Sequence, residues 1–476
     1  MKLNLREICK AVKGDLYDNG EEINISSDKI CVDSRKVEAG SLFVAIKGEN
    51  VDGHDFIEVA IKSGAVAVIV SRDYYKNNAD GVKYICVAVE DTKQALLDTA
   101  KLCKSKIKPL VIAITGSVGK TTTKEFIYSV ISQKYITQKN QGNLNTDTGL
   151  SMTMFGLKDD TQVLVQEMGM NNFGEIDDLS RTAEPDTAVI TNIGTSHIEM
   201  FGSRENICKA KLEILNGMSE KAHIFLNADE PLLYSQKGKT GKNEIFFGIE
   251  NENADIIAKN INIDYKTGST KFDIFDANTN KCMSASIPVV GKHNVCNALA
   301  AFAVAKIHGL SFEEIHRGFN NFENGKMRQN ISSFHDITII EDCYNASLES
   351  VTAALGVLSG IAKESGGRRM AVLSDILETG DFSDEIHRKI GQTVAEMNTD
   401  AAFIYGEKSK LTVEGIKSCG SGSCEVHYFT DKKDMAKKLC EEIKENDVVL
   451  FKASRGMMLE DVVNDFKVGR DALGTP

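Results

Sequence analysis

The sequence predicts an α/β protein of three domains, a small N-terminal α/β unit, a central parallel-sheet domain and a C-terminal doubly wound one, and three observations carry that prediction. Near-continuous apolar runs such as "LVIAIT", "TQVLVQEMG" and "DTAVITNIG" alternate with helical patterns, as strands do when both sheet faces are covered. At 476 residues the chain is too long for one core, taking roughly 150 residues per domain. Finally, "AITGSVGKTTTKEF" joins an apolar strand to a helix through a glycine turn that carries Gly-Lys-Thr.

Taken in order, "MKLNLREICKAVKG" reads as a short amphipathic helix. It has no apolar signal-type region, and no run approaches the ~18 apolar residues that span a bilayer, so a cytoplasmic protein without signal or anchor is expected. "SLFVAIKG", "HDFIEVAIKSGA" and "VAVIVSR" read as strand, helix and strand of a small α/β unit over residues 1–107. The basic, polar "KSKIKP" with its proline marks the boundary. A central domain over 108–325 follows, with the three apolar strands above and a helix from about Lys120. Between Asn260 and Val290 the pattern turns alternating and hairpin-like, which predicts a β insertion at the sheet edge before the helix "NVCNALAAFAVAKI". Beyond Gly325, "ITIIED", "RMAVLSD", "AAFIYG" and "DVVLFKAS" read as strands of a third, Rossmann-like doubly wound domain over 326–476.

Composition narrows the function. Charged residues make up 26% and the net charge is -12, which argues against a nucleic-acid surface and requires any anionic substrate to meet local positive charge. The eleven cysteines are scattered with no C-x-x-C pair, so reduced thiols are expected and not a zinc or redox site.

The chemistry concentrates at the glycine turn. Backbone N–H groups and a helix N-terminus face an anion there, Lys120 adds a point charge, and Thr121 can ligate magnesium. The general pattern G-x-x-x-x-G-K-[ST] would place its first glycine at Ile114; here Gly116 comes three residues before Gly119. Two polar groups follow apolar strands, Glu167 and His197, where open parallel sheets bind ligands. The glutamate suits magnesium, whereas His197 is open to ligand, base or helix-capping roles. Lys211 in "CKAKLEIL" reads, on the residues alone, as a solvated helix lysine.

The set "TGSVGKTTTKE", "GNLNTDTG", "EMG", "TNIGTSHIEMFGSRENICKAKLEI", "GKHNVCNALAA", "KMRQN" and "EDCYNAS", in this order, resembles the Mur ligases over nearly the whole chain. "DSRKVEAGSLFVAIKGENVDGHDF" is similar to the UDP-recognising domain of the dipeptide-adding member, and "VLSDILETG", "FIYGE" and "FKASRGMMLE" to its C-terminal domain. The resemblance implies an ATP-dependent amide ligase that adds D-alanyl-D-alanine to UDP-N-acetylmuramoyl-tripeptide through an acyl phosphate. It implies a cradle of Gly116, Ser117, Val118, Gly119, Lys120, Thr121 and Thr122, with Lys120 on the β and γ phosphates. It further implies a first magnesium on Thr121 and Glu167, and a second served by His197 and Lys211, the latter carbamylated so that it can donate oxygen. Asn294 would contact adenine, Arg328 the γ-phosphate and Asp342 the ribose. Ser34 and Arg35 would recognise the uridine diphosphate, Asn143 and Asn145 the muramoyl part, and Asn345, Ser454 and Arg455 the peptide and dipeptide carboxylate.

Four motifs depart from the family pattern: Asn145-Thr146 for paired asparagines, "NASL" for Asn-Ala-Asn-Pro, "SDI" for Gly-Asp-Met and "KASR" for Lys-Gly-Ser-Arg. None falls in the ATP and metal set. The competing expectations are a diamino-acid-adding relative, whose Asp-Asn-Pro-Arg motif is missing, a folate-polyglutamylating relative, and an ATP-dependent switch without ligase chemistry. A monomer satisfies every feature read.

Overall fold

In a computed structural model the chain is described at residues 1–48, 50–79, 83–420 and 424–473. It divides into two compact units: residues 1–115, 135–188 and 212–223 form one, and 116–134, 189–211 and 224–476 the other.

The first unit opens with a short ladder, Lys2–Asn4 against Asn24–Ser26, and the helix Leu5–Ala11 held by a capping box between Asn4 and Glu7. A five-stranded sheet follows in the order Asp15–Tyr17, Cys86–Val89, Ala65–Ser71, Ser41–Val44, Ile30–Cys31, parallel except at Asp15–Tyr17. Phe43, Val68, Val70 and Cys86 of its strands pack on Ile57 and Ala60 of the helix Ile57–Lys62. "KSKIKP" is mostly helical, since Thr92–Ile107 runs through it and ends only at Lys108, whose φ of 55° closes the helix. A polar sequence there reflects the solvated last turn, not a loop. Within the same unit Leu110–Thr115, Val163–Glu167 and Thr137–Lys139 lie side by side and parallel, with Val163 opposite both Leu110 and Thr137.

In the second unit the helix Lys120–Ile131 packs on Lys292–Ile307 and Phe312–Asn320. Phe126 anchors it, stacked on Phe322 at 3.7 Å and edge-on to Phe319 at 6.0 Å. The expected insertion is present as three antiparallel strands, Ile256–Asp264, Ser269–Asp276 and Lys281–Ile287, at a sheet edge. The C-terminal sheet has six strands in the order Asn330–Phe334, Ile337–Glu341, Val448–Lys452, Arg369–Ser374, Ala401–Tyr405, Glu425–Phe429. All run parallel except the first. Ile339, Phe403, Val449 and Phe451 fill one face against Leu439 and Phe466 of the flanking helices. Asp342 and Asp375 directly follow two of its strands and Lys452 ends a third, placing polar groups at the carboxyl edge, where doubly wound sheets bind ligands.

No helix among the described residues is long and apolar enough to cross a membrane. All eleven cysteines are free.

Candidate functional site

The loop Gly116–Gly119 is shaped by two glycines with positive φ, 149° at Gly116 and 80° at Gly119. A Cβ at Gly116 would collide with Thr191 Oγ1, and one at Gly119 would sit 2.8 Å from Asn297 Oδ1. These close approaches explain the spacing: the turn needs glycine where the backbone meets Thr191 and where it enters the helix, not at position 114, which is buried strand.

The loop is braced from outside. Ser117 N donates to Asn192 O at 3.2 Å, Val118 N to Asn192 Oδ1 at 2.9 Å, and Thr191 Oγ1 to Val118 O at 2.6 Å. Thr123 Oγ1 donates to Asn297 Oδ1 at 3.1 Å, locking the first turn of the helix. Lys120 Nζ folds back onto Gly116 O at 2.8 Å. Among the described residues Ser117 Oγ is buried with no hydrogen-bond partner, an orphan polar group at the mouth of a helix N-terminus. A buried hydroxyl without a partner beside a positive helix end fits a phosphate oxygen.

Lys211 corrects the reading of a solvated lysine: it is 3% exposed. Burial, and then the charge of Lys120, hold its ammonium well below the ordinary lysine value. Among the described residues no hydrogen bond or ion pair reaches it. His197 stands at the N-terminal end of the helix Ile198–Phe201 without capping it, in left-handed backbone with φ of 60°. Its Nδ1 lies 2.6 Å from Glu378 Oε2, and that hydrogen bond holds the Glu378 carboxyl below its usual range.

Arg328 lays its guanidinium over the Tyr344 ring at 4.2 Å. A Cβ added at Gly325 would touch both Arg328 Cδ and Thr121 Cγ2, at 3.4 and 3.9 Å, so the arginine stem and Thr121 are neighbours. Asp342 accepts from Lys452 Nζ at 2.7 Å and from Gln329 N at 3.3 Å. Asn294 is buried and donates to Val290 O at 2.9 Å. Ser454 Oγ accepts from Leu377 N at 3.0 Å, Arg455 pairs with Glu460, and Asn345 Oδ1 accepts from Ala346 N at 2.9 Å. Thr122 lies half-buried in the first helical turn.

In the other unit, Glu167 is 3% exposed; its Oε1 accepts from Asn145 Nδ2 at 3.0 Å and its N–H donates to Asn140 Oδ1 at 2.8 Å. Asn143 O accepts from Asn145 N at 2.7 Å. Ser34 and Arg35 sit in one 3-10 turn, with the Arg35 fork already on Asp33 at 2.9 Å through both Nε and Nη2.

Sequence reasoning passed over Thr191, Asn192, Asn297, Gln329, Glu349, Glu378 and Lys452. Asn192 carries a legible signal, a polar residue directly after the apolar run "TAVIT"; the others act through contacts remote in sequence.

A glycine-bent anion cradle at a helix N-terminus, a buried lysine beside the loop lysine, and a doubly wound C-terminal sheet define a nucleotide-dependent enzyme. The profile of the Mur ligase middle domain matches residues 114–305, that of the Mur ligase family catalytic domain 28–103, and that of the Mur ligase glutamate ligase domain 327–455. UDP-N-acetylmuramoyl-tripeptide–D-alanyl-D-alanine ligase of Bacillus subtilis is 37% identical, over 98% of each chain. A crystal structure of MurF from Acinetobacter baumannii matches with a TM-score of 0.88 at 29% identity, covering 98% of this chain and 99% of that one. MurF ligase from Thermotoga maritima in complex with ADP matches with a TM-score of 0.81 at 28% identity, over 94% and 98%. The chain belongs to the Mur ligase family, and is an ATP-dependent ligase.

Proposed function

We propose that this chain joins D-alanyl-D-alanine to UDP-N-acetylmuramoyl-tripeptide, giving the pentapeptide precursor of peptidoglycan with release of ADP and phosphate. The observation that carries the reading is the Gly116–Gly119 cradle with its unsatisfied Ser117 hydroxyl, next to Lys120. The names of the full-length relatives supply the substrates.

The tripeptide's terminal carboxylate attacks the γ-phosphorus of ATP, and ADP leaves. The dipeptide amine then attacks the acyl carbon and phosphate leaves. Both partners of the first step are anionic, so positive charge fixed in place supplies the main stabilisation. Lys120 leaves the Gly116 carbonyl for the β and γ phosphates, the Ser117 hydroxyl and the N-terminus of the helix Lys120–Ile131 hold the phosphate oxygens, and Arg328 reaches the γ-phosphate from its stack on Tyr344. Thr121 and Glu167 each offer an oxygen that suits magnesium, which would neutralise phosphate charge; His197 retains Nε2 for a second ion. An amine does not fit a magnesium shell, and the carbamate expected on Lys211 finds no support in the comparisons. Lys211 therefore enters as a buried amine beside Lys120.

Residues 1–107 would hold the uridine diphosphate through Ser34 and Arg35, 108–325 the ATP, and 326–476 the dipeptide through Asn345, Ser454 and Arg455. Asn143 and Asn145 would face the muramoyl part, Asn294 the adenine and Asp342 the ribose. The enzyme acts as a cytoplasmic monomer, and its product feeds cell-wall growth and hence cell shape and division.

Phosphate release from ATP tests this directly. It is expected to require both UDP-N-acetylmuramoyl-tripeptide and D-alanyl-D-alanine for sustained turnover. Release without either, or in response to a free diamino acid and not the dipeptide, would sink the reading.

A further inference from the structure

The segment Thr195–His197 is held by two carboxylates of the C-terminal region. Glu349, in the first turn of the helix Leu348–Ser365, accepts from Thr195 N at 2.9 Å and from Thr195 Oγ1 at 3.2 Å. Glu378 takes the side chain two residues on, with His197 Nδ1 at 2.6 Å from its Oε2. The backbones meet as well, Glu199 N donating to Glu378 O at 3.5 Å. Both members of the pair carry a left-handed φ of 60°, a conformation that costs a side-chain-bearing residue of order 1–2 kcal/mol. Two strained residues facing each other across a short hydrogen bond indicate that the contact itself is maintained.

A carboxylate only accepts, so the proton of this bond belongs to His197 Nδ1. Nε2 is then the nitrogen left to face the reaction, because the bond made by one ring nitrogen sets the state of the other. We propose that Glu378 is a positioning residue: it fixes the His197 tautomer and ring plane, and, coming from the C-terminal sheet's loop, it does so only when that loop is seated on the helix Ile198–Phe201. Its catalytic consequence rests on the function proposed above, whereas the hydrogen bond does not.

The test is imidazole nitrogen NMR of the metal-free and nucleotide-free protein, with the His197 signals identified by their loss in His197→Asn; the chain has only nine histidines. His197 is expected to show a protonated Nδ1 in the wild type and to lose that state in Glu378→Ala. Glu378 is 59% exposed, so the variant folds. In ligase assays Glu378→Ala is expected to lower kcat about ten- to a hundredfold with KM for ATP little changed, and Glu378→Asp to recover part of it. Unchanged His197 signals in Glu378→Ala overturn the proposal, and so does a changed spectrum with undiminished kcat. A wild-type protein with no ligase activity would overturn the proposed function alone, while the spectra still decide the hydrogen bond.

Discussion

Lys211 is where a single residue departs most from its appearance in the chain. On a helix with Lys209 two residues earlier it reads as one more solvated cation, yet it is 3% exposed with no hydrogen-bond partner among the described residues. Burial and then Lys120 lower its proton affinity. The sign follows: between the lowered folded value and the ordinary lysine value of 10.5 the unfolded chain binds more protons than the folded one, so stability rises with pH across that window. Lys211→Met is expected to flatten that rise and to stabilise the fold at neutral pH by about 1–3 kcal/mol, since it removes a buried unpaired donor. It is also expected to abolish phosphate release. Chemical denaturation at several pH values checks the first part, and an unchanged slope would show that the amine is not the group responsible. Burial of this kind is a tertiary property, which is why the side chain's neighbours in sequence could not announce it.

At the level of elements, the buried strands of the C-terminal sheet were legible and its edges were not, while buried strands elsewhere, Cys86–Val89 and His223–Asn227, went unread. Ile337–Glu341, Arg369–Ser374, Ala401–Tyr405 and Val448–Lys452 are covered on both faces and spell apolar runs, so their sequences declare them. Asn330–Phe334 and Glu425–Phe429 are the two edge strands of the same sheet; "NISSF" and "EVHYF" keep polar, half-exposed positions and carry no such run. The phosphate loop was legible for the opposite reason, because its glycines answer a local backbone demand. Its bracing was not, since Asn192 reaches Val118 across 74 residues of chain. The helix behind the loop is fixed by one aromatic cluster, and its cost can be measured. Phe126→Ala removes a fully buried ring between Phe322 and Phe319 and is expected to destabilise the protein by about 3–5 kcal/mol. A loss below about 1 kcal/mol in denaturant titration would mean that the helix is held by its loop contacts instead.

For the molecule as a whole, nucleotide binding and folding are linked through the cradle. A ligand that binds only the native state at a hundred times its Kd adds about 2.7 kcal/mol to stability. A non-hydrolysable ATP analogue is therefore expected to raise the unfolding temperature of the wild-type chain in a concentration-dependent way. Gly116→Ala separates the cradle from the rest of the fold. Its φ of 149° and the collision of a Cβ with Thr191 Oγ1 force the loop off Thr191, and with it the Val118 carbonyl that Thr191 holds. The unliganded variant is expected to lose about 1–3 kcal/mol from strain. The larger consequence is that the analogue no longer shifts its unfolding, because the loop no longer sets the Ser117 hydroxyl and the helix N-terminus around one phosphate. If Gly116→Ala kept the full ligand-dependent shift, the nucleotide would have to bind elsewhere, and the loop would be a structural turn with a Gly-Lys-Thr sequence.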